Sequence, residues 1–358
     1  MIATLHPFRR QALSGATVRS AASLLLGLSV LSASGCSLLP ERLEEDPRPI
    51  VRGPEPTRLQ RPLALNFLAF RPRRANTQPK GTTNLSWNSM YSSLYLDEHD
   101  SAGNKANLDG ELWTNTLLAR HGVGDDSDIE VEVGVLRAGS GFLDRYVNDF
   151  HRMFGFPDGG RPDADDDHYA MEIESKGDNI YELSNHRFGV LDTSVVWTQK
   201  LQGEDVTRPA IALRFGVELP TGDEDRGFSN GSVDYGMGLL AERSVGRWTW
   251  TGATDYVVTE RSDAFRDAGV DMDNLWDVQG GVEYRWNDSG SLLAQLIYTT
   301  ALARDIPLDA LDEPILDLGV GIVWDHSDRS RVMLTFHEDL IGRGPDFGFA
   351  INWEWRFD

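Results

Sequence analysis

The stretch Phe347-Gly348-Phe349-Ala350-Ile351-Asn352-Trp353-Glu354-Trp355-Arg356-Phe357 decides the fold. Its odd positions are all large and apolar. Its even positions are Gly, Ala, Asn, Glu and Arg. Successive side chains of a strand point to opposite faces, so this segment is a β-strand with one apolar and one polar face. The same period recurs upstream. Ile211, Leu213, Phe215, Val217 and Leu219 alternate with Ala212, Arg214, Gly216 and Glu218. Val278, Val282, Tyr284 and Trp286 oppose Gln279, Gly281, Glu283 and Arg285. Ile129–Val135 and Leu316–Trp324 behave likewise.

About thirteen such segments fit between 82–98 and 345–357, with one at 168–175, and residues 63–70 supply a fourteenth if an even number is required. Most are long enough for the ~9–11 residues of a membrane strand, against ~5–6 for a globular one. Tight turns at Val245-Gly246-Arg247, Asn287–Gly290 and Asp325–Asp328 alternate with long loops at 260–274 and 303–313. That is the barrel habit of short periplasmic turns and long external loops. Trp248, Trp250, Trp286, Trp324, Trp353 and Trp355 fall beside the tight turns or the C-terminus, on the outward face. Tyr235, Tyr256, Tyr298 and Phe347 fall at the opposite ends. Such rings prefer a membrane–water interface, apolar on one side and hydrogen-bonding on the other. The expected fold is all-β: an antiparallel transmembrane β-barrel of about 12–14 strands, with one amphipathic helix inserted at 141–154. A soluble β-sandwich alternates too and is the rival architecture.

The N-terminus has the order of an export signal. Arg9, Arg10 and Arg19 precede the apolar stretch Ala21–Leu31, and no acid occurs before Glu41. Ala33-Ser34-Gly35-Cys36 resembles a bacterial lipobox with Ala in place of the usual Leu. Cys36, the only cysteine, is the expected lipidation site, and Ser37 after it fits sorting to the outer membrane of a Gram-negative cell. Residues 1–35 are thus a signal peptide, 36–62 a Pro-rich linker, and 63–358 the barrel domain with a helical excursion at 139–165. The chain carries a formal net charge of −22, which argues against nucleic-acid binding. No disulfide, zinc pair or other cofactor is expected from one cysteine. After the N-terminus no apolar run approaches the ~20 residues of a membrane helix.

The pattern breaks at 141–154. Phe142, Tyr146, Phe150 and Phe154 recur every fourth residue, which is helical spacing. Counting strands back from a periplasmic C-terminus puts this helix on the periplasmic side, lying in the interface or plugging the lumen. The following run Asp163-Ala164-Asp165-Asp166-Asp167-His168, with Glu174, matches part of a calcium loop but has His168 where the sharp turn needs Gly. The partners that this and other acidic loops would take are divalent cations. A solvated acidic loop is the better reading.

Several segments together resemble an uncharacterised proteobacterial outer-membrane family known only as a domain of unknown function. They are Leu63-Ala64-Leu65 with Phe70-Arg71-Pro72, Asp109-Gly110-Glu111, Gly141-Phe142-Leu143-Asp144, and Phe150-His151-Arg152-Met153-Phe154-Gly155-Phe156-Pro157 with Arg161. Leu219-Pro220-Thr221-Gly222-Asp223 with Asp234-Tyr235-Gly236 resembles a strand-loop-strand element of outer-membrane barrels. The resemblance implies membership and location, with no activity attached. The terminal Trp353–Phe357 resembles the signal read by barrel-assembly machinery, although Asp358 follows it.

The leading functional expectation is a passive channel or carrier for small solutes. Arg214, Glu218, Glu283, Arg285, Glu354 and Arg356 would face the lumen and set its charge. The six tryptophans named above would meet the membrane lipids. The alternatives are a lipid-anchored soluble β-protein with a structural or assembly role, and a barrel enzyme acting on envelope lipids. For the enzyme, His151 with Asp149 or Asp144 is the only tempting set, and no G-x-S-x-G element accompanies it.

Overall fold

The computed structural model describes residues 50–155, 160–184 and 188–358. The expected signal, Cys36 and the linker up to residue 49 lie outside that set. The strands are β1 (Thr83–His99), β2 (Lys105–Gly122), β3 (Ser127–Gly139), β4 (Ala170–Ser175), β5 (Asp178–Glu182), β6 (Phe188–Val190), β7 (Thr193–Gln202), β8 (Ala210–Leu219), β9 (Asp234–Val245), β10 (Trp248–Val258), β11 (Leu275–Arg285), β12 (Gly290–Thr299), β13 (Ile315–Ser327), β14 (Ser330–Asp339) and β15 (Phe347–Phe357). Among the described residues three α-helices punctuate them: α1 (Asp144–Phe154), α2 (Asp263–Asp267) and α3 (Asp309–Asp312).

Twelve of these strands make one closed antiparallel barrel. Closure comes from β1 pairing with β15, Thr83 opposite Phe357 and Ser93 opposite Phe347. On the other side β3 pairs with both β2 and β7. The barrel has two unlike ends. One, the turn end, carries the start of β1, the end of β15 and short connections such as 246–247 and 286–289. The other, the loop end, carries the long connections.

The burial pattern is inside out for a soluble protein. Along β15, Phe349, Ile351, Trp353 and Phe357 are exposed, whereas Ala350 and Asn352 are buried. The inner face collects Thr335, His337, Gln295, Gln279, Asp277 and Glu283, all buried. A sandwich would bury the aromatic face and wet the polar one. A membrane barrel does the reverse, because lipid covers the outside. At the turn end Trp353 donates Nε1–H to Ser330 Oγ at 2.8 Å and stacks on Trp355 at 5.0 Å. Trp248 lies 4.6 Å from the Tyr284 ring. Trp250, Trp286 and Trp324 are exposed at the same level.

Two expected strands are not barrel staves. Residues 168–175 yield only β4, six residues that pair with the far extension of β2 and with β5. Six residues are too short to span. Losing that stave reverses the direction of β3, so α1 lies at the loop end, not on the side of the tight turns. Residues 63–70 do not pair with the wall at all. Leu63, Leu65, Phe67, Leu68 and Phe70 are buried, with a 3₁₀ turn over Leu63–Asn66. A stretch apolar on both faces has no side for a polar lumen, and this one lies inside the barrel.

Candidate functional site

The lumen is occupied by the chain itself. Residues 51–75, the first of them expected as linker, enter at the turn end, climb to the loop end and return. The ascending leg begins where Glu283 accepts hydrogen bonds from Arg52 N and Gly53 N, both at 3.0 Å. The Arg52 side chain meets Asp325 at 2.7 Å and donates to Ser291 Oγ at 2.8 Å. Higher up, Glu55 meets His337, whose other ring nitrogen lies 2.8 Å from Asp317. Thr114 then donates to Gln60 at 3.0 Å. Near the top, Arg61 donates to the carbonyl of Asp309 at 2.9 Å, in the loop between β12 and β13.

After the apex the descending leg begins. Asp234 accepts from Leu68 N at 3.1 Å. The Phe70 ring sits under the Arg214 guanidinium, 4.7 Å away, while Arg214 itself pairs with Asp255 at 2.6 Å. Gly216 and Gly236 face each other across β8 and β9 beneath this ring. A Cβ at Gly236 would lie 2.5 Å from Phe70, so only glycine leaves room for it. Arg71 pairs with Glu132, Arg73 with Asp128 at 2.7 Å, and Arg74 with Glu242 at 2.7 Å. Arg74 also donates to the Val51 carbonyl at 3.1 Å, so the two legs touch where they leave the barrel.

Twelve strands enclose more space than the roughly eight whose side chains fill a barrel. The segment takes up that space. A cavity lined by Gly53, Pro54, Glu283 and Gln295 has about 10 Å³, the scale of a single water. The loop end is closed further by an apolar core. Phe228, Phe265, Leu302, Ile306 and Leu308 from the long loops, and Ile173 and Ile180 from the β4–β5 hairpin, pack with Leu63–Phe70. An open cleft of about 580 Å³ lies outside this core, lined by Phe188, Val190, Asp223–Arg226 and Phe228.

The residues singled out from sequence are distributed through this arrangement. Arg214, Glu218, Glu283, Arg285, Glu354 and Arg356 all occupy lumen-side positions of the alternation. Arg214 and Glu283 hold the segment directly, as described. Glu218 is buried, and its Oε2 has no hydrogen-bond partner among the described residues. Glu354 pairs with Arg356 at 3.1 Å and lies 3.8 Å from Arg331, near the turn-end mouth. Arg285 is half-buried at the same end. His151, Asp144 and Asp149 are not brought together: His151 meets Glu338, Asp144 pairs with Arg161, and Asp149 pairs with Arg152. Several acids of the exposed loops meet basic side chains, Asp126 with Lys200, Asp223 with Arg226 and Asp271 with Arg261. His168 contacts Asp109 at 3.0 Å. Among the described residues, Asp309, Asp312 and Glu313 bring oxygens within 4.8 Å of one another, with Arg343 on Asp309. Burial, reinforced by Asp309 and Glu313, pushes the Asp312 carboxyl up to about 6.

A family model described as a protein of unknown function (DUF3187) matches residues 50–357. The chain belongs to this family. The DUF3187 match opens at residue 50, so the lumen segment belongs to the family domain together with the barrel. No curated protein matches the sequence. Among solved structures, the COG4313 outer membrane channel from Pseudomonas putida F1 is similar, with a TM-score of 0.54 and 16% identity over 81% of this chain and 100% of that one. That likeness shows an outer-membrane barrel fold. The NanC porin is more distant, at TM-score 0.45 and 9% identity over 76% of this chain and 99% of that one.

Proposed function

We propose that this DUF3187 chain is an outer-membrane channel for small cationic solutes, closed in the state described by its own residues 51–75. The carrying observation is the charge division inside the lumen. The segment supplies Arg52, Arg71, Arg73 and Arg74, and the wall answers with Glu283, Asp325, Glu132, Asp128 and Glu242. Withdrawing the segment would leave those carboxylates facing water in a narrow low-dielectric tube. Such a ring concentrates cations and repels anions. In this reading the turn end faces the periplasm, the signal at 1–35 directs export, and a lipid at Cys36 tethers the chain ahead of the segment. The outer-membrane channel to which the barrel is similar is consistent with this reading.

Planar-bilayer recording tests it. The native chain should be silent or open rarely. The Arg71→Ala/Arg73→Ala variant should conduct, with a reversal potential in a salt gradient that reports cation preference. Absence of conductance in both would contradict the channel. The apolar core at the loop end favours a second reading, a barrel that stays closed and serves as an envelope scaffold, and that outcome would support it.

A further inference from the structure

Helix α1 lies outside the barrel, on its wall. Phe150 packs on Phe336 at 5.3 Å and on Phe347 at 5.4 Å, and Phe142 on Tyr91 at 5.7 Å. Those partners are outward-facing positions of β14, β15 and β1. The helix is fastened at several points. Glu111 of β2 accepts from Phe142 N at 2.8 Å and from Leu143 N, and also from the Tyr91 hydroxyl. Asp144 pairs with Arg161, which reaches Asp346 at 2.8 Å. His151 meets Glu338 at 3.4 Å.

This firm docking leaves large apolar side chains uncovered. Phe142 is 62% exposed, Tyr146 65%, Met153 76% and Phe154 62%. The every-fourth-residue spacing is therefore split: Phe150 faces the wall, Phe142 touches it at one edge, and Tyr146 and Phe154 face away. Arg145, Asp149 and Arg152 share the exposed side. The depth is specific. Phe347, under the helix, and Trp355, in the turn-end girdle, are eight residues apart on β15. At ~3.3 Å per residue and a tilt of ~40°, they differ in height by about 20 Å, close to the ~25 Å of a barrel's apolar band. Below α1 the exposed Phe349 and Ile351 continue that band.

We propose that α1 is a membrane-interface helix that, with Phe142 just ahead of it, seats Tyr146, Met153, Phe154 and the Phe142 ring in the lipid of the loop-end leaflet. The surface is continuous with the lipid-facing wall and lies at its upper edge. Aromatic rings with arginines beside them suit that boundary, where apolar bodies enter the acyl region and guanidinium groups reach the headgroups. The helix thus fixes the height of the β14–β15–β1–β2 sector in the membrane.

The test uses the full chain with Cys36→Ser, reconstituted in vesicles of phosphatidylcholine and phosphatidylglycerol. A fluorophore is placed by Met153→Cys, and separately by Tyr146→Cys. Ile351→Cys reports the lipid-facing wall, and Val206→Cys, 88% exposed in the turn-end loop, reports water, with iodide present on both sides of the bilayer. The proposal expects lipid-borne nitroxide to quench positions 153 and 146 several-fold more than aqueous iodide does, as at 351. Iodide quenching at both positions equal to that at 206, with no lipid quenching, would overturn it. Correct folding is checked in the same samples by the expected pattern at 351 and 206.

Discussion

The two halves of the lumen are closed by different physics. The turn half is held by arginines on wall carboxylates, Arg52 with Asp325, Arg73 with Asp128 and Arg74 with Glu242. The loop half is held by apolar burial around Leu65, Phe67, Leu68 and Phe70. Ion pairs in a lumen are directional and become weak once water and salt enter, because screening acts on them. Apolar packing is insensitive to salt and fails only when the segment leaves as a unit. The contrast places the weak seal at the turn end and the strong one at the loop end.

The largest expected effect therefore lies in the loop half. Phe70→Ala empties the space over Gly216 and Gly236 and should cost about 3–5 kcal/mol, the range for deleting a buried aromatic ring. Thermal unfolding in detergent measures it. If the cost stays below about 1 kcal/mol, the segment is not a packed part of the barrel. Gly236→Leu attacks the same contact from the wall and should cost about 1–3 kcal/mol through overpacking. Combined with Phe70→Ala, most of that penalty should vanish in a double-mutant cycle. Additive effects would separate the two residues.

A smaller effect is expected in the turn half. Arg73→Ala leaves Asp128 buried with fewer donors and should cost about 2 kcal/mol, since water entering the lumen relieves part of the penalty. Asp128→Asn in the same chain should recover part of the loss, and high salt should reduce the cost of Arg73→Ala but not that of Phe70→Ala. Equal salt sensitivity would erase the distinction between the halves.

The smallest effect concerns pH. The Asp312 carboxyl is raised to about 6, mainly by burial, with Asp309 and Glu313 adding to it. A raised carboxyl holds its proton more tightly in the folded state than in the unfolded one. The loop around α3 should then gain stability as pH falls from above 6 toward the ordinary carboxylate range near 4. Hydrogen exchange in α3, corrected for its intrinsic pH dependence, should slow over that window. Asp312→Asn should abolish the change.

The barrel was legible because its signal is local. Period two along β8, β11, β13 and β15 needs no knowledge of partners, and the Trp residues beside tight turns follow from the same count. The lumen segment was not legible by that rule. Pro54, Pro56 and Pro62 read as linker, and a chain surrounded on all sides has no period to display. A different signal was present: Arg52, Arg58, Arg61, Arg71, Arg73 and Arg74 crowd one short stretch of a chain with net charge −22. Basic residues gathered beside an acidic, lumen-facing alternation are a pairing pattern, not a solvated linker. The misplaced helix has one cause. Counting 168–175 as a stave inverted every assignment before it, including the side on which α1 lies. Arg214 and Glu283 were found as lumen positions, but their partners, the segment's own Phe70, Arg52 and Gly53, belong to the part that carries no period.

The central claim is that residues 51–75 occupy the lumen. Thiol accessibility tests it most directly, with Leu65→Cys in a Cys36→Ser background and a water-soluble maleimide added to the folded protein in detergent, where both barrel ends meet the reagent. Leu65 is fully buried at the apex of the segment. The account predicts labelling at Leu65→Cys only after denaturation, while Val206→Cys labels at once. Rapid labelling of Leu65→Cys in the folded barrel would contradict it.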